Sequence, residues 1–246
     1  MNRIILLLAF AGVLFSCKKS QDRSCWKATG GLTTKEIMLD SYGKLYMGPH
    51  LKYRMVQDTV NKVILIGGNN LVNFIETSVS ENLLTIKNNN KCNFLRSYDK
   101  IVMVEIHFVK IFNILFEGTE EVIAVNTINT DYLTLAIRDG VGTFNLNVNA
   151  NSLHFVISHG WGNFNFNGTV DFLSMDIRSN GFGDAYGLNV SDSIHAISNS
   201  SEVFNINVQN CLIRTQTFEK GDIYYKGIPS FIEHYSYGDG QLVNKN

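Results

Sequence analysis

The sequence predicts an all-β protein whose chain winds into a solenoid of repeats about 20 residues long. Three observations lead to this class: a repeat in the C-terminal half, alternation of apolar and polar residues within each repeat, and a composition suited to β-sheet. The chain has 16 Phe and 10 Tyr but only 2 Pro in 246 residues. Aromatic residues favour the pleated surface of a sheet.

The repeat is marked by small residues that begin successive apolar segments. They are Gly142, Gly162, Gly183, Ser201 and Gly221, at intervals of 20, 21, 18 and 20 residues. A second apolar segment precedes each of them, as at residues 133–137 and 153–157. A repeat of this length cannot bury its own apolar face, so successive repeats must stack and share one core.

Within a repeat the alternation has the period of a β-strand. Residues 144–148 read Phe-Asn-Leu-Asn-Val, which places the apolar side chains on one face and the asparagines on the other. Equivalent positions of stacked coils lie about 4.8 Å apart, so the apolar residues should form interior ladders and the asparagines should line the surface. We expect the glycine before each strand to occupy a corner that needs a positive φ.

The first sixteen residues resemble a bacterial lipoprotein signal peptide. Arg3 supplies positive charge, residues 4–15 are uncharged and apolar, and Leu14-Phe-Ser-Cys17 resembles a lipobox. We therefore expect cleavage before Cys17, acylation of its thiol and attachment to the outer membrane, facing either the periplasm or the outside of the cell. Residues 17–36 would then form a lipidated tether. The alternative is an ordinary signal peptide with an incidental cysteine.

Residues 37–243 form the predicted solenoid domain. The part 37–130 is less regular, whereas 131–243 holds the regular repeats and a C-terminal cap. Residues 111–125 look like the first, degenerate repeat, and no amphipathic helix is evident. Because no linker rich in Pro or Ser divides the two parts, we expect them to stack into one body.

Composition excludes some classes of function. A net charge of −1 with 17% charged residues offers no basic face for a nucleic acid. No segment after the signal peptide is long and apolar enough to span a bilayer. Cys25 and Cys92 could form a disulfide in an oxidising compartment and leave Cys211 unpaired, although buried free thiols fit equally well. The cysteine spacing does not indicate a zinc site.

The C-terminal residues fit the motif that ends a known family. They are Gly221, Ile223, Tyr225, Gly227, Pro229, Gly238 and Gly240. Together with the Gly-x-Gly corners at 140–142, 160–162 and 181–183, they resemble the autotransporter adhesin head domains, which are secreted bacterial domains common in Bacteroidetes. The resemblance covers residues 40–243. It implies a right-handed β-helix-like solenoid with an adhesin-like role.

The chain departs from this family at its corners. Bulky residues stand between the corner glycines where the family has small ones, namely Val141, Trp161 and Phe182. At exposed corners these side chains would form a local apolar surface. Asn199-Ser-Ser201 replaces one glycine corner.

Aromatic residues are the candidate binding surface. They are Tyr224, Tyr225, Tyr235, Tyr237 and Trp161. Tyrosine offers a large amphipathic contact area at low entropic cost, which suits a glycan or protein ligand. The alternative for the tyrosines is a terminal cap that covers the open end of the solenoid and prevents edge pairing.

The polar residues give weaker indications of chemistry. His154 and His195 occupy equivalent outward positions, with Asp176 on the intervening repeat, but without a carboxylate in register they indicate surface residues rather than a catalytic or metal-binding pair. Residues 180–184 resemble a calcium-binding turn that occurs only once. Four glutamates define no glycosidase geometry; they are Glu105, Glu117, Glu120 and Glu121. We therefore predict no catalytic residue, no metal site and no cofactor.

These features predict a non-catalytic, lipid-anchored protein of the cell envelope that acts as an adhesin or binds a glycan or protein. One alternative is a polysaccharide-processing enzyme built on a β-helix, which requires a cleft lined by converging carboxylates. The other is a periplasmic signalling or envelope-stress accessory lipoprotein, which requires a protein partner in the periplasm.

Overall fold

The structure is a computed structural model that describes residues 28–91 and 100–246. The predicted signal peptide, Cys17, Cys25 and Cys92 lie outside the described residues. The described part contains eighteen strands and one short helix: β1 (Leu32–Met38), β2 (Lys44–Met47), β3 (Lys52–Gln57), β4 (Lys62–Gly68), α1 (Asn69–Val72), β5 (Ile75–Ser80), β6 (Leu83–Asn88), β7 (Met103–Phe108), β8 (Asn113–Phe116), β9 (Glu121–Ala124), β10 (Ile128–Ile137), β11 (Thr143–Ile157), β12 (Asn163–Ser179), β13 (Phe182–Ser200), β14 (Phe204–Asn207), β15 (Leu212–Thr217), β16 (Ile223–Lys226), β17 (Phe231–Ser236) and β18 (Leu242–Asn244). The fold is a β-solenoid of about 7 turns, which confirms the predicted class.

Successive coils of the regular half are parallel and in register. Strand β11 pairs with β12 from Thr143↔Asn163 to Ile157↔Ile177, and β12 pairs with β13 in the same sense. Each of these long strands turns a corner, so that its first half lies in one face of the solenoid and its second half in another. The first face continues into β9, β14, β16 and β18. The second face continues into β10, β8, β2, β6, β15 and β17.

The core follows from the alternation within these strands. Phe144, Leu146 and Val148 of the first face point inward and are at most 2% exposed. Phe155 meets them from the second face, with its ring centroid 6.2 Å from that of Phe144 and 5.1 Å from that of Phe164. Burying such a side chain stabilises the fold by roughly 1.5–3 kcal/mol. The predicted interior ladder with outward asparagines is confirmed.

The expected equivalence of Gly162 and Gly183 is wrong. Strand β13 pairs Gly183 with Phe164, two residues further along the coil. A shift in register after Asn165, opposite Tyr186, restores the alignment of the later residues. Gly183 lacks a side chain because a Cβ there would collide with the ring and carbonyl oxygen of Phe164. This glycine therefore serves close packing within the face and does not form the corner.

The glycine corner itself depends on close contact between backbones. Gly160 has φ +98°, and the amide of the next residue, Trp161, donates to the carbonyl oxygen of Gly140 at 3.1 Å. A Cβ on Gly160 would collide with that same carbonyl oxygen. The expectation of a positive φ at the glycine directly before each strand is wrong for Gly142 and Gly162, and the positive φ falls on Gly160, two residues before Gly162.

The N-terminal coils depart from parallel stacking. Strand β4 is antiparallel to both β1 and β7, and β5 and β6 form an antiparallel hairpin. Helix α1 buries Leu71 and Val72. In the described ranges no helix is long and apolar enough to cross a membrane. Strands β8 and β9, from the predicted degenerate repeat, pair in parallel with the N-terminal strands β2 and β3 and with the regular strands β10 and β11, so hydrogen bonding is continuous across the two halves.

Candidate functional site

A groove crosses four successive coils where the first face turns into the second. One ridge is formed by Asn129, Asn149, Thr169 and Asn189, and the other by Asp131, Asn151, Asp171 and Ser191. Thr130, Ala150, Val170 and Val190 lie between the ridges and form the floor. The volume is about 800 Å³, which is the size of a typical ligand-binding cleft. We call this feature the polar groove.

The repeat explains why these residues come together. Neighbouring strands pair Asn129 with Asn149 and Asn149 with Thr169, whereas the floor residues Val170 and Val190 point inward and are buried. At about 4.8 Å per coil, the first and last residues of a ridge lie roughly 14 Å apart. The groove residues are absent from the sequence-based candidates, although the 20-residue spacing of Asn129, Asn149 and Thr169 is visible in the sequence.

Three of the four side chains of the first ridge are bonded to one another, and the fourth, Asn189, bonds to the next coil. Asn149 Nδ2 donates to Asn129 Oδ1 at 3.2 Å, and Thr169 Oγ1 donates to Asn149 Oδ1 at 2.9 Å. Asn189 Oδ1 accepts from Asn207 Nδ2 at 3.1 Å. A carboxamide has two N–H groups and an oxygen with two lone pairs, so each amide keeps some capacity for a ligand. The ridge is therefore an oriented row of donors and acceptors.

The groove is lined by one cation, Lys110, and two carboxylates, Asp131 and Asp171. Lys110 Nζ lies 3.1 Å from Asp131 Oδ2, and Asp171 accepts a hydrogen bond from Ser191 Oγ at 2.6 Å. The exposed Asn151 makes no side-chain hydrogen bond with any residue in the described part of the chain. The groove thus offers amide, hydroxyl and carboxylate groups while its lining cation is paired, a chemistry that suits an uncharged, hydroxyl-rich ligand.

The five aromatic residues expected to bind a ligand do not share one face. Tyr224 lies on the first face, with Lys245 Nζ 3.9 Å from its ring centroid. Tyr225 is partly buried against the core. Tyr235 lies on β17, in the second face of the last coil, and Tyr237 follows directly after β17. Trp161 lies at the glycine corner and is 53% exposed. The exposure of Trp161 agrees with the expected apolar corner.

The aromatic residues of the last coil pack along its outward side. The ring of Tyr237 stacks on that of Phe218, with centroids 4.9 Å apart. Tyr235 Oη donates to Glu233 Oε1 at 2.7 Å, and this hydrogen bond raises the pKa of Tyr235. In the described structure β17 pairs with β15 alone, and its Phe231 is exposed. These tyrosines are therefore restrained by neighbours on the second face.

His154 and His195 lie on the outward side of the second face, as predicted. The strand register is His154↔Ser174↔His195, so one serine separates the two imidazoles. Asp176, in the neighbouring row, bonds to Arg178 Nη2 at 2.6 Å. Among the residues that the structure describes, no group of three or more His, Cys, Asp and Glu could hold a metal ion.

The acidic candidates all contact neighbouring groups. Asp184 accepts a hydrogen bond from Asn205 Nδ2 at 2.9 Å, and Glu105 Oε1 bonds to His107 Nε2 at 3.0 Å. The remaining glutamates also accept hydrogen bonds, namely Glu117, Glu120 and Glu121. The contacts of Asp184, Glu117 and Glu121 connect neighbouring coils, whereas that of Glu105 lies within β7 and that of Glu120 is with the preceding residue.

Cys211 is a buried free thiol. Burial raises the pKa of Cys211, so the thiol stays protonated at neutral pH and is a poor nucleophile. Its role is to fill space in the core.

The stacked parallel coils define a β-solenoid domain, and the polar groove runs across them. Residues 41–229 match the family described as "Putative auto-transporter adhesin, head GIN domain", and the chain belongs to this family. The match includes both the irregular and the regular coils and confirms the resemblance seen in the sequence. Family membership indicates a protein of the cell envelope or cell surface. No curated protein matches the chain at a significant level.

Solved structures share the fold. A putative adhesin from Bacteroides fragilis NCTC 9343 is 22% identical with a TM-score of 0.79, and the match covers 87% of this chain and 97% of that one. A putative adhesin from Parabacteroides distasonis ATCC 8503 is 17% identical, with a TM-score of 0.62 and coverage of 88% and 98%. A putative lipid binding protein from the same organism is 16% identical, with a TM-score of 0.63 and coverage of 88% and 98%. At these identities the likeness shows the fold alone.

Proposed function

We propose that this protein is a non-catalytic, lipid-anchored module of the bacterial cell envelope that binds a neutral glycan chain in the polar groove. The observation that carries this proposal is the ridge in which Asn129, Asn149 and Thr169 recur at each coil. Amide and hydroxyl groups both donate and accept hydrogen bonds, so the ridge matches the hydroxyl groups of a linear polymer lying along the groove. Because Lys110 is paired with Asp131, the groove has no free cation to select an acidic polymer.

Affinity for such a ligand should increase with the number of coils that it contacts. A single hydrogen bond contributes only about 0.5–1.5 kcal/mol, so one sugar residue binds weakly. A chain that spans the four coils makes several such contacts without losing its translational freedom more than once. We therefore expect longer oligosaccharides to bind more tightly than short ones until the groove is filled.

An array of neutral linear oligosaccharides of increasing length tests the proposal. The double variant Asn149→Ala/Asn189→Ala removes two ridge amides and should weaken binding by about tenfold or more. The matched control is Asn147→Ala/Asn165→Ala, which removes two amides from the outward side of the first face and should bind normally. Equal binding by the two double variants, or no binding to any neutral glycan, would contradict the proposed site.

A second variant fills the groove without removing an existing contact. Asn151 is exposed on the second ridge, so Asn151→Trp should fold normally, as checked by circular dichroism, yet lose binding.

The non-catalytic part of the proposal is tested with the wild-type protein. The glycan bound to the wild type is recovered and its length is measured. An unchanged length is expected, whereas a shortened glycan would show cleavage and overturn the non-catalytic part of the proposal.

The lipid anchor is tested separately at Cys17. Acyl chains contribute about 0.8 kcal/mol per buried methylene, so several chains hold a protein firmly on a membrane. Metabolic labelling with a fatty acid should label the wild-type protein, and Cys17→Ser should abolish the label. Persistent labelling of that variant would exclude Cys17 as the anchor. Protease shaving of intact cells, with a periplasmic control protein, then distinguishes surface from periplasmic orientation.

A further inference from the structure

A second cavity, of about 510 Å³, lies on the second face near the N-terminal end of the solenoid. The residues that line it include Lys44, Tyr46, Lys87, Leu115, Glu117 and Arg138. None of them lines the polar groove. We call this cavity the basic basin.

The strand register places an aromatic and apolar floor in the basin. Strand β2 lies between β6 and β8, so Tyr46 pairs with Thr85 on one side and Leu115 on the other. Lys44 precedes the tyrosine by two residues on the same strand, and Lys87 follows Thr85 by two on β6. The two lysines therefore flank the tyrosine from opposite ends of the floor.

The carboxylate in the basin is already neutralised. Arg138 donates from Nε to Glu117 Oε1 at 2.6 Å and also from Nη2, while Tyr46 Oη donates to Glu117 Oε2 at 2.6 Å. Burial raises the pKa of Glu117, but these hydrogen bonds outweigh it and hold the pKa below its ordinary value. Glu117 is therefore an ionised partner of Arg138 and does not compensate the lysines.

The two lysines have no such partner. Among the described residues, no carboxylate lies within ion-pair distance of Lys44 or Lys87. Glu76 faces Lys87 across the β5–β6 pair, but it accepts a hydrogen bond from Asn89. Lys87 Nζ lies 5.9 Å from the centroid of the Tyr46 ring. A cation at this distance is attracted to the ring only weakly. The basin thus carries a net positive charge next to an aromatic surface.

We propose that the basic basin binds a carboxylate-bearing sugar, with Lys44 and Lys87 attracting the carboxylate and Tyr46 with Leu115 contacting the C–H groups of the sugar ring. Sugar rings have apolar faces that pack on aromatic side chains, and ammonium groups pair with carboxylates as point charges. The guanidinium fork of Arg138 is occupied by Glu117, so the acidic group of the ligand would contact the two ammonium groups rather than the arginine.

Binding of oligogalacturonate to the full-length protein tests this proposal, with the fully methyl-esterified oligomer as the uncharged probe. The charged oligomer should bind, the esterified one should not, and binding should weaken as salt screens the charges. The double variant Lys44→Ala/Lys87→Ala should lose at least about tenfold in affinity. The matched control is Lys226→Ala/Lys245→Ala, because these lysines also lie over tyrosine rings, 4.5 Å from Tyr186 and 3.9 Å from Tyr224, but on the first face.

Each outcome bears on the proposal. Retained binding by the control supports it, whereas equal loss in both double variants would show general attraction of polyanions and overturn it. Absence of binding, or equal binding of the esterified oligomer, would also overturn it. Stronger binding to vesicles containing phosphatidylglycerol, lost in Lys44→Ala/Lys87→Ala, would assign the basin to an anionic lipid surface instead. The neutral-glycan test of the polar groove is unaffected by any of these results.

Discussion

The N-terminal coils and the regular coils are stabilised by different kinds of contact. In the regular coils like residues stack on like, as Phe144 pairs with Phe164 in register. In the N-terminal coils unlike residues pair, as His107 Nδ1 lies 2.8 Å from Asp58 Oδ2 and its Nε2 lies 3.0 Å from Glu105 Oε1. Both halves nevertheless bury one continuous apolar core.

The spacing of the coils accounts for the difference. At about 4.8 Å, a charge repeated in every coil would face its own copy, and like charges directly opposite each other destabilise a sheet. Asparagine can be repeated because its amide donates to one neighbour and accepts from the other. Charged pairs therefore occur where adjacent coils differ, as for Arg214, whose Nε lies 2.8 Å from Glu233 Oε2. At any one position, a row of identical side chains and an ion pair between adjacent coils are therefore alternatives.

The largest expected effect comes from removing an aromatic ring of the regular coils. Phe155 is fully buried, and its ring centroid lies 4.9 Å from that of Phe166. Phe155→Ala should lower the free energy of unfolding by about 3–5 kcal/mol, because it leaves a cavity that neighbouring coils cannot fill. Urea denaturation measures this. Phe172→Ala, at a residue that is 50% exposed, is the control and should cost about 0.5 kcal/mol or less. Similar costs for the two variants would contradict the stacked core.

A smaller loss should follow from adding a methyl group at the glycine corner. Gly160→Ala introduces a Cβ at a positive φ and against the carbonyl oxygen of Gly140. We expect a cost of about 1–3 kcal/mol in the free energy of unfolding, the usual strain of a residue forced into such a conformation. Gly31→Ala is the matched control, because no atom lies within 4 Å of the added Cβ. An unchanged midpoint for Gly160→Ala would mean that the corner tolerates a different backbone path.

The sequence predicts the regular coils well because each coil contains both the apolar–polar alternation of a strand and the spacing of the repeat. The alternation of residues 144–148 sets the inward face, and the 20-residue interval sets the stacking. The sequence does not reveal that Gly183 is out of alignment with Gly162. The register shift near Tyr186 adds a residue to the strand without changing the order of apolar positions. The packing of Gly183 under Phe164 is a tertiary contact, and the sequence does not contain it locally.

The sites are less predictable than the fold for a related reason. Asp58 and His107 are 49 residues apart, and their contact depends on the strands that bring them together. The tyrosines 224 and 235 are close in sequence, yet a corner places them on different faces. The polar groove repeats visibly in the sequence, but its concave shape arises from the turn between the faces. Spacing along the chain therefore predicts rows of residues better than it predicts cavities.

Acid should open the N-terminal coils before the regular ones. The hydrogen bond from His107 lowers the pKa of Asp58 below its ordinary value. Because the folded pKa is lower than the unfolded value of about 4, this stabilisation is present above that pH and is lost as the pH falls through the folded value. The asparagine rows of the regular coils do not titrate. The hydrogen bonds from Tyr235 and Arg214 also lower the pKa of Glu233, but this residue lies on the terminal strand β17, outside residues 128–200. Brief digestion with pepsin between about pH 4 and pH 2, with the cleavage sites identified by mass spectrometry, should show the first cuts within β1–β9.

The variant Asp58→Asn isolates this contribution. It should be less stable than the wild type at neutral pH, and its stability should depend less on pH in the acid range. Asp131→Asn, at an exposed carboxylate of the regular half, is the control and should keep the wild-type dependence. First cuts between residues 128 and 200 would reverse the comparison between the two halves.

The smallest effect concerns the outward asparagines and tests the spacing argument directly. Asn165 lies in register with Asn145 on one side and Asp184 on the other. Asn165→Asp places a carboxylate opposite Asp184 and should cost roughly 0.2–1 kcal/mol, whereas Asn165→Lys faces the same carboxylate with a cation and should cost less or stabilise slightly. Both variants lose the same amide, and the part of their stability difference that depends on salt reports the charge. In about 1 M salt the screening length falls to about 3 Å, so the difference measured by urea denaturation should shrink. If the two variants were equally destabilised at every salt concentration, hydrogen bonding rather than the avoidance of repeated charge would explain why asparagine recurs on this face.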